Sequence, residues 1–141
     1  MVIAGIGYQG RTPDDLIGRL KKAGVRVVVD VRELPWSRRP GFSKTRLRKQ
    51  LEEAGLEYVH LRAAGNPKAI RTTSRSVDEC LARYRAYLRR HSAALKTIRE
   101  LAETQSVALL CFESEHEQCH RSVILEEMAS RWGALEIRPL E

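Results

Sequence analysis

The residues best equipped for chemistry are gathered between Val107 and Arg121, Val-Ala-Leu-Leu-Cys-Phe-Glu-Ser-Glu-His-Glu-Gln-Cys-His-Arg. An apolar run, Val107 to Phe112, turns into a polar loop and then into a helical pattern from about Ser122. Cys111, Glu113, His116, Cys119 and His120 therefore sit where a buried strand ends and a helix begins, the place where α/β proteins hold ligands. A thiol at a helix N-terminus beside Arg121 would ionise readily and act as a nucleophile, with His120 as general base or acid. Neither cysteine has arginine six residues later, so the phosphatase-type cysteine–arginine loop is absent. Glu113 is an equally good acid–base group if Cys111 faces the core. It becomes a structural anchor instead if it pairs with Arg32 or Arg62.

Cys111, Cys119 and His120, completed by Glu113, His116 or His60, form a donor set that could hold zinc. The spacing Cys-x7-Cys-His is not a strong zinc signature, so no metal ligand is assigned and no cofactor is required. Cys111 could equally be a small buried strand residue. With Cys80 the chain has three cysteines, an odd number that reads as thiols or metal ligands rather than a disulfide framework.

A second set of residues points to anions. Arg11, Arg32, Arg38, Arg39, Arg62 and Arg121 all fall at or near the ends of expected strands, and arginine forks suit phosphate or carboxylate. Lys and Arg outnumber Asp and Glu by 25 to 18, giving a net charge of +7 and a pI near 9.7. That balance favours an anionic small molecule or nucleic acid as partner, although basicity also serves solubility alone. Trp36 and Phe42 flank Arg38 and Arg39, an interleaving that can stack bases or pin the loop to its own domain. Gly5-Ile6-Gly7-Tyr8-Gln9-Gly10 matches a dinucleotide fingerprint, with Asp30 about 20 residues on. Gly5, however, falls within the first strand and the helix starts only after Thr12, so a turn is the better reading.

These groups need a scaffold, and the hydrophobic pattern supplies one. Strands are expected at Val2–Ile6, Val25–Val31, Leu56–Leu61, Val107–Phe112 and near Leu135–Ile137. Between them, Thr12 caps a helix with Pro13 at its first position, Ser43 a second, and Ser76 with Glu79 a long third that breaks near His91-Ser92. The stretch Arg62 to Arg75 reads as a loop, and Tyr84, Tyr87 and Leu88 as core. Strands alternating with helices imply one α/β domain over residues 1–141: a mainly parallel five-stranded sheet with helices on both faces, in a Rossmann-like three-layer arrangement. The carboxyl edge of that sheet would collect Tyr8 and Arg11 from the first strand and Asp30 and Arg32 from the second. The third would bring His60, Arg62 and then Asn66; the fourth Cys111, Glu113, Cys119, His120 and Arg121. No apolar run is long enough for a membrane span and no signal-peptide pattern precedes the first strand, so a cytoplasmic protein is expected.

Several stretches together resemble domain-of-unknown-function family 488, a group of small α/β proteins. They are Ile6-Gly7-Tyr8-Gln9-Gly10-Arg11-Thr12, Asp30-Val31-Arg32, Ser37-Arg38-Arg39-Pro40-Gly41-Phe42-Ser43, His60-Leu61-Arg62, Gly65-Asn66-Pro67, Cys111-Phe112-Glu113 and Cys119-His120-Arg121. The resemblance implies the fold and the working edge and supplies no activity. From the residues, the expectation is a hydrolase or group transferase acting on an anionic, phosphate-bearing or nucleotide substrate. Arg11, Arg32, Arg38 and Arg39 would hold the anion, and Glu113, Cys111, Cys119 and His120 would carry the chemistry. A non-catalytic nucleic-acid-binding module and a metal or redox protein are the alternatives.

Overall fold

The computed structural model of the chain describes residues 1–133 and 135–140. Five strands form one parallel sheet: β1 (Val2–Gly7), β2 (Val27–Asp30), β3 (Glu57–His60), β4 (Val107–Cys111) and β5 (Glu136–Pro139), in the order β3-β2-β4-β1-β5. The central strand β4 pairs Gly7 with Cys111 on one side and Asp30 with Leu110 on the other. This is the three-layer α/β arrangement that alternation of strands and helices demands. Strands β1, β2 and β4 are almost wholly buried, as β-branched and aliphatic runs covered on both faces must be.

Six helices lie among the described residues: α1 (Pro13–Lys22), α2 (Lys44–Glu53), α3 (Lys68–Thr73), α4 (Val77–Arg90), α5 (Ala93–Thr104) and α6 (His120–Trp132). Leu16 and Leu20 of α1 and Leu47 and Leu51 of α2 pack with Ala4, Ile6, Val28 and Leu110 on one face of the sheet. Tyr84 and Leu88 of α4, Leu95 and Ile98 of α5, and Val123 and Ile124 of α6 pack with Ile3, Val29 and Leu109 on the other. Tyr84 and Leu88 are core as expected, and Tyr87 packs half-buried at their edge.

Local chemistry explains most boundaries. Thr12 Oγ1 accepts the Asp15 N–H at 3.1 Å, with Pro13 opening α1. Ser76 Oγ accepts the Glu79 N–H at 3.0 Å, while Glu79 turns its carboxylate to the Arg75 N–H at 2.5 Å. The break at His91-Ser92 separates α4 from α5.

Three expectations are corrected. Residues 62–75 are not all loop: Arg62–Ala64 forms a 3-10 turn and Lys68–Thr73 the short α3, started by Pro67 just outside it. The surrounding Gly, Asn and Thr residues concealed a helix too short to show a period. Ser43 precedes α2, but its hydroxyl bridges the Ser37 N–H and carbonyl instead of capping the helix. Helix α6 starts at His120, not Ser122, because Cys119 adopts the extended N-cap conformation and Ser122 Oγ donates to the Cys119 carbonyl.

Gly7 ends β1 with the Glu113 backbone lying directly over it. A Cβ at Gly7 would stand 1.7 Å from the Glu113 carbonyl oxygen, so the loop after β4 can lie across β1 only because this residue has no side chain. Gly7→Ala is expected to cost about 1–3 kcal/mol through forced displacement of that loop, read as a lower urea midpoint with an unchanged slope. An unaltered midpoint would show that the loop does not rest on β1.

Candidate functional site

The carboxyl edge of the sheet opens into a cleft of about 460 Å³, within the size range of small-molecule sites. Part of its lining comes from β4 and the start of α6 and carries Cys111, Phe112, Glu113 and His120; another part comes from the segment between β3 and α4. Tyr8, Arg32 and Trp36 line it from the ends of β1 and β2.

The residues at the tip of β4 converge closely. The two sulfurs of Cys111 and Cys119, a ring nitrogen of His120 and a carboxylate oxygen of Glu113 all lie within 4.8 Å of one another, a grouping that could hold a metal ion. The sulfurs are 2.07 Å apart, at disulfide distance, and Cys80 is the free cysteine. The strand end and the helix N-cap thus face each other across the eight-residue loop.

His120 is buried between Tyr84 and Cys119, with Nε2 2.6 Å from the Val31 carbonyl. A carbonyl only accepts, so Nε2 carries the proton and Nδ1 presents its lone pair to the Cys119 sulfur at 3.7 Å. Burial pushes the His120 pKa down and favours this neutral form. Glu113 is half-buried and makes no ion pair among the described residues, whether with Arg32, Arg62 or any other cation. The anchor alternative thus finds no partner, and the carboxylate stands free in the cleft.

Arg121 explains how the loop is held. Its side chain is buried, and Nη1 donates to the Glu113 carbonyl at 2.7 Å and lies 2.7 Å from Cys111 Sγ; Nη2 reaches the Ser114 carbonyl at 3.4 Å. It fits because Gly5 lies beneath it: a Cβ there would press on Arg121 Cδ and Nε at 3.2 Å. Burial pushes its pKa down to about 10, which leaves it charged at neutral pH.

The arginines expected to share the cleft are dispersed. Arg32 reaches it but is engaged: Nε and Nη2 fork onto the Asp30 carboxylate at 2.9 and 2.7 Å, and Nη1 donates to the Phe42 carbonyl at 2.7 Å. Burial alone would lower the Arg32 pKa, but the hydrogen bonds and charge of Asp30 outweigh it and hold the guanidinium charged. Asp30 is fully buried and also accepts the Arg32 N–H and the Tyr58 hydroxyl at 2.5 Å; burial, then the Asp30 charge, pushes the Tyr58 pKa up. Arg11 donates to the Gly7 carbonyl and pairs with Asp15, and Arg39 donates to the Arg11 carbonyl. Arg38 and Arg39 line a separate surface groove. His60 contacts the Arg32 carbonyl at 2.8 Å, outside the cleft, and Arg62 is exposed on the 3-10 turn. Of the aromatic pair, Phe42 is buried and stacked on Tyr8 at 4.6 Å, whereas Trp36 stands 66% exposed at the rim.

Asn66 does line the cleft, 6% exposed, with Nδ2 3.3 Å from Cys80 Sγ and Oδ1 buried without a partner. Around it stand residues that the sequence did not single out for the site, Arg71, Ser74, Arg75, Ser76, Val77 and Cys80. The signal that could have found them was the pair of arginines just ahead of the Ser76 cap.

Removing the charge of Asp30 would strand Arg32 beside the cleft. Asp30→Asn is expected to cost about 3–5 kcal/mol, as for other broken buried pairs, measured by urea denaturation. A loss below about 1 kcal/mol would show that the pair is not a structural element.

No curated protein and no solved structure matches the chain significantly. A family model does, over residues 12–128, a span that takes in every element from α1 into α6. The chain belongs to the family described as Domain of unknown function DUF488.

Proposed function

We propose that the protein is an enzyme, a hydrolase or group transferase, acting on an anionic substrate held in the cleft over the carboxyl edge. The observation that carries this reading is the unpaired Glu113 carboxylate, set within 4.8 Å of His120 and the two sulfurs at the floor of a concave, arginine-bearing site. A carboxylate with no structural partner, within 4.8 Å of the neutral imidazole of His120, is suited to moving a proton. Glu113 would take the proton of the attacking water or hydroxyl.

A second reading has its own support. The Cα atoms of Cys111 and Cys119 are 7.4 Å apart, wider than the roughly 4.4–6.8 Å usual for a disulfide. Meanwhile His120 is oriented through its Nε2–H onto a carbonyl, in the manner of metal-ligating imidazoles. In the reduced form, two thiolates, His120 Nδ1 and a Glu113 oxygen would make a zinc site of ordinary composition.

Two measurements test these readings. Screening nucleotides, phosphomonoesters and phosphodiesters should reveal a turnover that Glu113→Gln lowers by about 10²–10⁴-fold with unchanged thermal unfolding. Turnover equal to wild type would remove Glu113 from the reaction. Elemental analysis of untagged, reduced protein should find close to one zinc per chain, lost in Cys119→Ser, if the zinc reading holds; metal-free reduced protein would overturn that reading and leave acid–base chemistry alone.

A further inference from the structure

Five large hydrophobic side chains are exposed among the described residues, Met1, Leu34, Trp36, Val77 and Phe112, and all but Met1 line the cleft. Exposed apolar area collected around one concavity, with Trp36 the most open of the set, marks a surface that a ligand covers. The two sides of this rim differ. Trp36 and Leu34 come from the loop after β2 and Phe112 from the end of β4, where its ring also meets Tyr8 edge-on at 5.3 Å. These side chains offer a flat apolar group something to rest on.

The segment ahead of α4, which also lines the cleft, supplies groups suited to an anion. Ser76 Oγ takes the Glu79 N–H, leaving the Val77 and Asp78 N–H groups at the start of the 14-residue α4 without a partner among the described residues. Two arginines stand at the same end. Arg71 is shared with Glu33 at 3.4 Å, whereas Arg75 makes no ion pair among the described residues. Of the acids nearby, Glu79 is turned to the Arg75 N–H and Asp78 lines a different surface beside Arg85. Asn66 also lines the cleft, more than nine-tenths buried, and its unpaired Oδ1 can only accept. A buried carbonyl oxygen without a donor costs about 1–3 kcal/mol, which a ligand hydroxyl or amine brought against it would offset.

From this arrangement we infer that the cleft is a nucleoside phosphate site. A ligand that combines a planar ring, a hydroxyl or amine donor and an anion satisfies all three features at once: ring on Trp36 and Phe112, donor on Asn66 Oδ1, phosphate on Arg75, Arg71 and the N-terminus of α4. This assignment rests on the reading of the cleft as a substrate site and names the class of substrate. It moves the anion from the arginines after β1 and β2 to those before α4. It also places the phosphate end away from Arg32, which Asp30 already occupies.

The test uses Trp36 as reporter. The chain has two tryptophans, so the Trp132→Phe protein leaves Trp36 as its only one. Titrating the four ribonucleoside 5′-monophosphates should give saturable quenching of its fluorescence for at least one of them. The matching nucleoside should bind more weakly. Arg75→Gln, on an exposed residue that should not disturb folding, should weaken the monophosphate by roughly tenfold or more and leave the nucleoside unchanged. Trp36→Ala, followed by calorimetry, should weaken both. No saturable signal up to about millimolar monophosphate, or equal affinity in Arg75→Gln, would overturn the assignment. So would tight binding of a single-stranded oligonucleotide insensitive to both changes, because that would place a nucleic-acid surface elsewhere. Nucleotide binding retained in Glu113→Gln while turnover is lost supports both readings. Turnover of another anion, indifferent to Arg75 and Trp36, removes the nucleotide assignment and leaves the enzyme standing.

Discussion

The Asp30 carboxylate is buried at the end of a central strand, and much of the working edge follows from the need to neutralise it. A buried carboxylate is tolerable only when paired and hydrogen-bonded. Asp30 receives a guanidinium fork, a backbone N–H and a phenol. The same guanidinium lies over the Tyr8 ring and holds the Phe42 carbonyl. One charge thereby ties the end of β1, the long loop after β2 and the neighbouring strand β3 into a fixed floor. The loop segment carrying Trp36 is held to that floor at Phe42. This is the reason Arg32, although it borders the cleft, is a poor anion receptor: its fork is already filled.

Arg121 is the counterpart on the other side of the edge, solved in another way. No carboxylate pairs with it among the described residues. Carbonyl oxygens and a sulfur take its protons, and one nitrogen, Nε, is left unsatisfied. Such a group is destabilising by itself, because burial opposes its charge. The loop from Glu113 to Cys119 closes round it, which fixes the position of the Glu113 backbone and leaves the Glu113 carboxylate facing the cleft. Gly5 and Gly7 make that closure geometrically open, the first by clearing the guanidinium and the second by clearing the Glu113 carbonyl. Gly5 and Gly7 of the dinucleotide-like fingerprint are thus explained by the close approach of this chain's own loop, and Gly10 by its positive φ of 75° in the turn.

How much of this could be read from the sequence follows from the range over which each signal acts. The strands and long helices were legible because period and capping are local: Val27–Asp30 is β-branched until its last residue, and Thr12 and Ser76 cap as their types imply. The cluster at the end of β4 was legible because Cys111, Glu113, Cys119 and His120 lie within ten residues. The fate of the arginines was not. Whether Arg11, Arg38 or Arg39 meets a ligand depends on which acids and carbonyls fold against it, and Asp15 and the backbone took two of the three. The α4 wall was missed because α3 is only six residues long and its arginines stand in a stretch that reads as turn.

The location of the cleft is a consequence of strand order. Inserting β4 between β2 and β1 sets the Cys111 tip beside the tips carrying Asp30 and Tyr8. The chain leaving β1 continues to α1 in one layer, while the chain leaving β4 continues to α6 in the opposite layer, as the two hydrophobic clusters show. Connections that part to opposite faces at adjacent strands leave a crevice between them at the carboxyl edge. Here the long passage from β3 to β4 crosses that crevice with α3 and the start of α4, supplying a wall that neither flanking loop could provide. The polar floor, the acid and the arginine wall thus come from three segments far apart in sequence. Only the folded sheet makes them one site.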